Sequence, residues 1–279
     1  GVEVVFGYPG GANMPIYDAM LNYPVHHVLV RHEQGAAHMA DGYARASGKV
    51  GVAMATSGPG ATNLVTGICT AMMDSVPTVF ITGQVAAHLI GGDAFQETDV
   101  TGITLPITKH NYIVTRVDQI AETIREAFYI ARSGRPGPVL IDICKNAQIE
   151  SCEFVFPEDV KLPGYQPVLR SPKNLVDQAV ELIERAKKPI ILCGHGVLMS
   201  KAEEELMQFA VKTQTPVAST LLGLGAFPAS NELSLGMMGM HGSYWANHAA
   251  STADVIIGLG MRMDDRALGR FQDMNPTAQ

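Results

Sequence analysis

The feature that most constrains this chain is an alternation. Short runs rich in Val and Ile are each followed by a longer segment whose apolar residues recur at helical spacing, and the pattern repeats along most of the sequence. Strands that are apolar on both faces and separated by helix-length segments cannot pair through tight hairpins; they fit βαβ units and a parallel sheet covered on both sides. The expected fold class is therefore α/β, with two consecutive doubly wound parallel-sheet domains. Residues 2–6, 27–31, 50–55, 76–82, 112–115 and 138–143 read as six strands. Helices are expected over 12–22, 33–46, 61–73 and 118–132, the last with Asp118 as its N-cap. Within 33–46, Ala36, Ala37, Ala40 and Ala44 lie on one helical face and allow close packing on a sheet. Residues 83–106 have no clear period and read mainly as a long loop, a kind of segment that tends to carry function.

These elements make a first domain over residues 1–145. A Pro-rich irregular stretch, 146–171, reads as an interdomain linker, and a second α/β pattern runs over 172–279. Its helix to 187, strand 189–193, helix from 201 and strands near 217 and at 254–260 lack a closing helix-and-strand pair. The chain also opens on a strand-like stretch without Met, so both ends are expected to be cut from a longer polypeptide. With 20 Lys+Arg against 27 Asp+Glu the net charge is −7, and short basic groups such as Arg185, Lys187 and Lys188 form no stripe. That balance argues against nucleic acid and against anionic membrane surfaces. Every apolar run is interrupted before the ~18 residues of a membrane span. Cys69, Cys144, Cys152 and Cys193 show no Cys-x-x-Cys spacing, which points to reduced thiols in a cytoplasmic setting and to no zinc site.

Individual residues leave several readings open. Glu33 stands between a strand and a helix of small residues, where burial favours the protonated acid and the helix N-terminus favours the anion. From spacing alone the charge complement to the helix is favoured over the proton exchanger, since a Glu in the first turn of a helix more often serves that role. Ser57-Gly58-Pro59-Gly60-Ala61-Thr62-Asn63 follows a strand and opens a helix, as a binding loop or a tight structural turn would, and it is neither a phosphate loop nor a Gly-x-Ser-x-Gly elbow. Gly194-His195-Gly196 after a strand is a weak dinucleotide hint. Arg135 in Gly134-Arg135-Pro136-Gly137-Pro138 either meets an anion or solvates a turn. Met237, Met238 and Met240 fit core filling or an adaptable pocket, and Asp264-Asp265 fits a metal or pairing with Arg262 and Arg266.

Taken together and in order, these stretches resemble the catalytic subunit of acetohydroxyacid synthase, also called acetolactate synthase, a thiamine diphosphate-dependent family. The carriers begin with Tyr8-Pro9-Gly10-Gly11-Ala12, Arg31-His32-Glu33-Gln34-Gly35-Ala36, the 55–63 stretch and Thr82-Gly83-Gln84-Val85. They continue with Asp93-Ala94-Phe95-Gln96-Glu97, the 134–139 stretch, Leu222-Gly223-Leu224-Gly225, Gly239-Met240-His241-Gly242 and Asp264-Asp265-Arg266. The resemblance spans essentially the whole chain. It implies a pyrimidine-binding domain followed by an incomplete central domain that holds FAD, and a reaction that decarboxylates pyruvate and condenses the two-carbon unit with a second 2-keto acid, pyruvate or 2-oxobutyrate. The products would feed valine and isoleucine biosynthesis.

By the same resemblance Glu33 hydrogen-bonds N1′ of the aminopyrimidine, and Tyr8, Pro59, Asn63 and Gln96 surround the thiamine diphosphate. Phe95 and Lys109 lie near substrate. Arg135, Gly194, Gly196, Thr220, Leu221, His241, Gly260, Arg262 and Asp265 contact FAD. A homodimer or homotetramer is implied, along with an optional regulatory small subunit. The family's Gly-Asp-Gly followed by Asn, which holds magnesium and diphosphate, does not occur here, so no metal ligand is expected in the chain and the chain alone is expected to be inactive. His195 replaces the family's usual third glycine, Gly92 a Thr and Cys144 a Pro. Two other readings stand beside this one: a related thiamine and FAD enzyme such as pyruvate oxidase or another carboligase, and a non-catalytic two-domain nucleotide-binding or regulatory protein.

Overall fold

In the computed structural model the Val- and Ile-rich runs pair in parallel throughout. The structure describes residues 1–168, 170–269, 275 and 278–279. They divide into two units, Gly1–Leu169 and Arg170–Gln279.

Unit 1 holds strands β1 (Val4–Gly7), β2 (His26–Leu29), β3 (Gly51–Ala55), β4 (Thr78–Gln84), β5 (His110–Val114) and β6 (Pro138–Cys144). Its helices are α1 (Met14–Met20), α2 (Glu33–Ser47), α3 (Pro59–Thr62), α4 (Val65–Asp74), α5 (Val100–Thr104), α6 (Ile120–Arg132) and α7 (Lys145–Ile149). The strand order is β2-β1-β3-β4-β6-β5. Alternation of side chains sorts each strand between the two faces. Ala53, Ala55, Phe80 and Leu140 meet α2 and α4 through Ala36, Ala37, Ala40, Leu64 and Ile68. Val79, Val139, Ile141 and Ile143 face the other way, against Ala127, Ile130 and Ala131 of α6. Val5, Val52 and Met54 meet Ile16, Tyr17 and Met20 on that side. The alanine face of α2 is thus what lets helix and sheet approach closely.

Several boundaries differ from the expectation. The single helix expected over 61–73 is two, because the chain breaks at Asn63 and Leu64 between α3 and α4. Within the expected loop 83–106, α5 forms with Asp99 as its N-cap, whose carboxylate accepts from the Gly102 amide at 2.8 Å. Asp118 does not cap α6: a short 3-10 turn, Val117–Gln119, precedes the helix, and the Asp118 carboxylate pairs with the Arg116 guanidinium. Unit 1 runs past residue 145 because α7 continues it and because Leu162 and Tyr165 pack on the α6 side of its core.

Unit 2 holds β7 (Pro189–Cys193), β8 (Val217–Ser219), β9 (Ser234–Met237) and β10 (Val255–Leu259), in the order β10-β7-β8-β9 and all parallel. Its helices are α8 (Lys173–Arg185), α9 (His195–Ser200), α10 (Glu203–Thr213), α11 (Tyr244–Thr252) and α12 (Asp265–Leu268). Strand β9 has no counterpart in the sequence reading, since Gly236 interrupts its apolar run and only half-buried positions are left. Met238 joins the core beside Leu192 and Ala250, while Met240 is exposed, so the methionine cluster divides between packing and surface.

Two glycines in helices of unit 1 have opposite surroundings. A Cβ on Gly67 would come to 2.3 Å from Ala37 Cβ, at the contact of α4 with α2, whereas one on Gly42 would meet nothing within 4 Å. Gly67→Ala is expected to destabilise unit 1 by about 1–3 kcal/mol through overpacking. Gly42→Ala is expected to stabilise it by about 0.5–1 kcal/mol through helix propensity. Urea unfolding of both variants checks the pair of signs.

Candidate active site

In a parallel sheet every strand ends on the same edge, and ligands collect where successive connections leave in opposite directions. In unit 1 that point lies between β1 and β3, because the chain passes from β1 out to β2 and then back across to β3. The two loops that leave it are Tyr8–Gly11 and Thr56–Gly60, and they are tied together. The Tyr8 amide donates to the Met54 carbonyl at 3.3 Å and the Ala12 amide donates to Thr56 Oγ1 at 3.2 Å. Tyr8 is half exposed there.

Glu33 enters the same place from β2. It is the first residue of α2 and only 8 % exposed. His32, in extended conformation, caps the helix by accepting from the Gln34 amide at 3.1 Å, which turns the chain so that Glu33 points inward. Glu33 Oε2 accepts from Asn63 Nδ2 at 2.9 Å. Glu33 Oε1 faces the Gly58–Gly60 turn, where a Cβ on Gly60 would lie 3.2 Å from it. Pro59 stands exposed at the first position of α3. The break between α3 and α4 is therefore functional in geometry: it aims Asn63 at the acid.

The loop after β4 closes over this turn. Gly58 has φ 58°, and a Cβ there would come to 2.8 Å from the Gln96 carbonyl oxygen, so the backbone of Gln96 rests directly on the turn. Asp93 and Gln96 themselves adopt positive φ, 53° and 59°, a conformation uncommon outside glycine and held here by the fold of the loop. Glu97 accepts from the amides of Gly91 and Ala94, and those bonds hold its carboxyl below the usual carboxylate range. Phe95 projects at the loop tip, 88 % exposed. Tyr8, Glu33, Pro59, Asn63, Phe95 and Gln96 thus gather at one edge of one sheet.

Lys109 does not join them. It precedes β5, on the opposite edge of the parallel sheet, and its ammonium donates to the carbonyls of Ile130 and Ser133 and to the Tyr165 hydroxyl. It caps the C-terminal end of α6, where a cation satisfies carbonyls left without helical partners. Its expected place near substrate is corrected to a structural one. Arg135 likewise precedes β6 and donates to Ser75 Oγ at 2.6 Å and to the Met73 carbonyl at 3.5 Å.

Sequence reasoning missed a buried polar network under the loop. Asp142, 1 % exposed on β6, accepts from Thr82 Oγ1 at 2.6 Å and from Gln84 Nε2 at 2.8 Å. Burial pushes its carboxyl up to about 6, against the opposing pull of the two hydrogen bonds and with a further push from Asp99. The signal was present: one acid inside the apolar run Pro138–Cys144.

In unit 2 the switch point lies between β7 and β10, since β8 and β9 continue to one side of β7 and β10 returns to the other. The Gly194 amide donates to the Leu259 carbonyl at 2.9 Å and the Gly196 amide to the Gly260 carbonyl at 2.8 Å. A Cβ on Gly194 would come to 2.5 Å from the Gly260 oxygen, and one on Gly260 to 2.6 Å from the Val197 nitrogen, so the two turns interlock only as glycines. The Thr220 amide donates to the Cys193 carbonyl at 2.9 Å, which sets Thr220 and the exposed Leu221 beside the Gly194 turn. His241, Arg262 and Asp265 follow β9 and β10 on the same edge, and Arg262 lies 3.8 Å from Asp264. His195 Nδ1 is buried at this edge without a hydrogen-bond partner among the described residues. Among the described residues no group of three or more His, Cys, Asp or Glu side chains is arranged to hold a metal ion, and no helix is long and apolar enough to cross a membrane.

Comparison with known proteins gives one family match within each unit. Residues 1–103 match the thiamine pyrophosphate enzyme N-terminal TPP binding domain and residues 176–279 the thiamine pyrophosphate enzyme central domain. The site in unit 1 and the two matches define the class: the chain carries the first two domains of a thiamine pyrophosphate enzyme. It is 52 % identical over 278 residues to the acetolactate synthase large subunit of Corynebacterium glutamicum, covering 99 % of this chain and 44 % of that protein. It is 49 % identical over 282 residues to the acetolactate synthase large subunit of Haemophilus influenzae, covering all of this chain and 49 % of that one. A probable acetolactate synthase large subunit of Methanocaldococcus jannaschii is 50 % identical over 282 residues, with 48 % of its length covered. The chain belongs to the acetolactate synthase large-subunit family, and it spans about half the length of these relatives. Relatives of this name do not favour the oxidase, other-carboligase or non-catalytic readings.

Burial makes the folded chain hold the Asp142 proton more tightly than the unfolded chain does. A carboxyl that holds its proton up to about 6 when folded, against 3.8 ordinarily, contributes stability that is fully present below 3.8 and lost as pH rises through about 6. The stability of the native chain minus that of Asp142→Asn should therefore fall by on the order of 2 kcal/mol between about pH 4 and pH 7. Urea unfolding at both pH values measures it, and a constant difference would contradict the assignment.

Proposed function

We propose that the chain is the portion of an acetolactate synthase that grips the aminopyrimidine end of thiamine diphosphate and cradles a flavin. One observation carries the reading: a nearly buried Glu33 carboxylate, partnered by Asn63 and directed at the Gly58–Gly60 turn, on the edge of the sheet where ligands collect. The donor set fits the cofactor, since a carboxyl with one oxygen toward an open turn matches a ring nitrogen that exchanges a proton. When bound, thiamine diphosphate supplies the electron sink for decarboxylating a 2-keto acid.

The residues of the chain do the rest. Glu33 holds or moves the proton at the ring nitrogen N1′, and Asn63 fixes the rotamer of its carboxyl. Low exposure keeps water from competing for that hydrogen bond. Tyr8, Pro59 and Gln96 shape the walls of the turn, and Phe95 extends toward the space where pyruvate and a second 2-keto acid, such as pyruvate or 2-oxobutyrate, would sit. In unit 2, FAD fits the crevice flanked by Gly194, Gly196 and Gly260, with Thr220, Leu221, His241, Arg262 and Asp265 around it. The unpartnered Nδ1 of His195 supports a polar ligand there. Magnesium would be held by ligands from another part of the full-length polypeptide.

The relatives are named large subunits, which supports a smaller regulatory partner, and the half-exposed thiamine edge supports a homodimer or homotetramer. A cytoplasmic location and a place in valine and isoleucine biosynthesis complete the proposal.

The test uses the full-length enzyme with thiamine diphosphate, magnesium and FAD. Glu33→Gln should lower acetolactate formation from pyruvate by ~10²- to 10⁴-fold while flavin absorbance and fold are retained. An active Glu33→Gln enzyme would sink the assignment.

A further inference from the structure

Asp142 and Gln84 take no part in the chemistry above, yet they form the most deeply buried polar cluster of unit 1, with Asp142 at 1 % and Gln84 at 3 % exposure. A buried acid in a central strand is costly unless its neighbours are arranged for it. The arrangement here is directional. Gln84 Nε2 donates to Asp142 Oδ2 at 2.8 Å and also to the main-chain carbonyl of Thr98 at 2.9 Å, while Gln84 Oε1 accepts from the Val85 amide at 2.9 Å. Both hydrogens of one amide and its oxygen are thereby engaged, so the side chain has a single orientation. The carboxylate fixes which end of the amide points at the loop, because an acceptor at Asp142 admits only the NH₂ end. Thr98 lies two residues from Gln96, whose backbone rests on Gly58, and Gly60 in turn packs beside Glu33.

We propose that Asp142 is a positioning residue which, through Gln84, clamps the base of the Asp93–Asp99 loop and so holds Gln96 against the thiamine turn. The functional half of this rests on the reading that the loop borders the thiamine; the clamp itself does not. Glu97 ties the tip of the loop to itself, through Gly91 and Ala94, but reaches nothing beneath it. Among the described residues, the Gln84 bond is what joins the loop's main chain to the acid on β6. A loop that is clamped part of the time binds its ligand more weakly in proportion to the lost population, with turnover at saturation preserved.

The experiment has two arms. In this chain, hydrogen exchange of the amides of residues 94–100 is compared between the native sequence, Gln84→Met, which removes both donors at similar volume, and Asp142→Asn. Exchange should rise at least about tenfold in that segment while the amides of β4 and β6 stay protected. Unchanged loop exchange in Gln84→Met would overturn the proposal. So would loss of protection throughout β4 and β6, since the pair would then hold the sheet and not the loop. In the full-length enzyme, the same variants should raise the apparent Kd for thiamine diphosphate about tenfold and leave kcat at saturating cofactor within about twofold. A loosened loop with an unchanged Kd would overturn the positioning role. A native full-length enzyme that binds no thiamine diphosphate would instead overturn the function proposed above and leave the exchange result standing.

Discussion

A carboxylate that is almost out of water must be hydrogen-bonded, and the organisation of unit 1 follows from meeting that condition for Glu33. The acid arrives from β2, its partner Asn63 from the break after α3, and the turn it faces from the end of β3. The turn and Asn63 are neighbours on one stretch, the acid lies 30 residues before Asn63, and they meet because parallel strands end on a common edge. The alanine face of α2 completes the condition, since a bulkier face would hold the helix, and Glu33 at its first turn, away from the sheet.

The two units solve a similar problem with different means. In unit 1 the switch point is closed by hydrogen bonds between loops and by a glycine turn on which a neighbouring backbone lies. In unit 2 the turns after β7 and β10 interlock through glycines 194, 196 and 260, whose missing Cβ atoms allow main chains to touch. Side-chain chemistry dominates the first site and backbone proximity the second.

Much of this was legible in the sequence because it rests on strong local signals. The alternation of apolar runs gives parallel sheets, and the Arg31–Ala36 and Ala55–Asn63 motifs mark the edge where Glu33 and Asn63 meet. What escaped depended on distance. The capping of α6 by Lys109 joins residues separated by a strand and a helix, so Lys109 read as a site residue when its ammonium satisfies helix carbonyls. Asp118 has the right identity for an N-cap, but Arg116 competes for it two residues away. Strand β9 was hidden by Gly236, and the helix inside the 83–106 loop by its small size, although Asp99 supplied its cap. Asp142 was visible as a single acid in an apolar strand, and only its partners show what it is for.

The role proposed for Glu33 requires its carboxyl to meet the cofactor's pyrimidine ring. A crystal structure of the full-length enzyme with thiamine diphosphate bound measures this directly. The expected result is a Glu33 carboxylate oxygen within hydrogen-bond reach of N1′, about 2.6–3.2 Å, with Asn63 still donating to the other oxygen. A pyrimidine ring bound elsewhere, or a Glu33 carboxylate turned away from N1′ and beyond that reach, would contradict it.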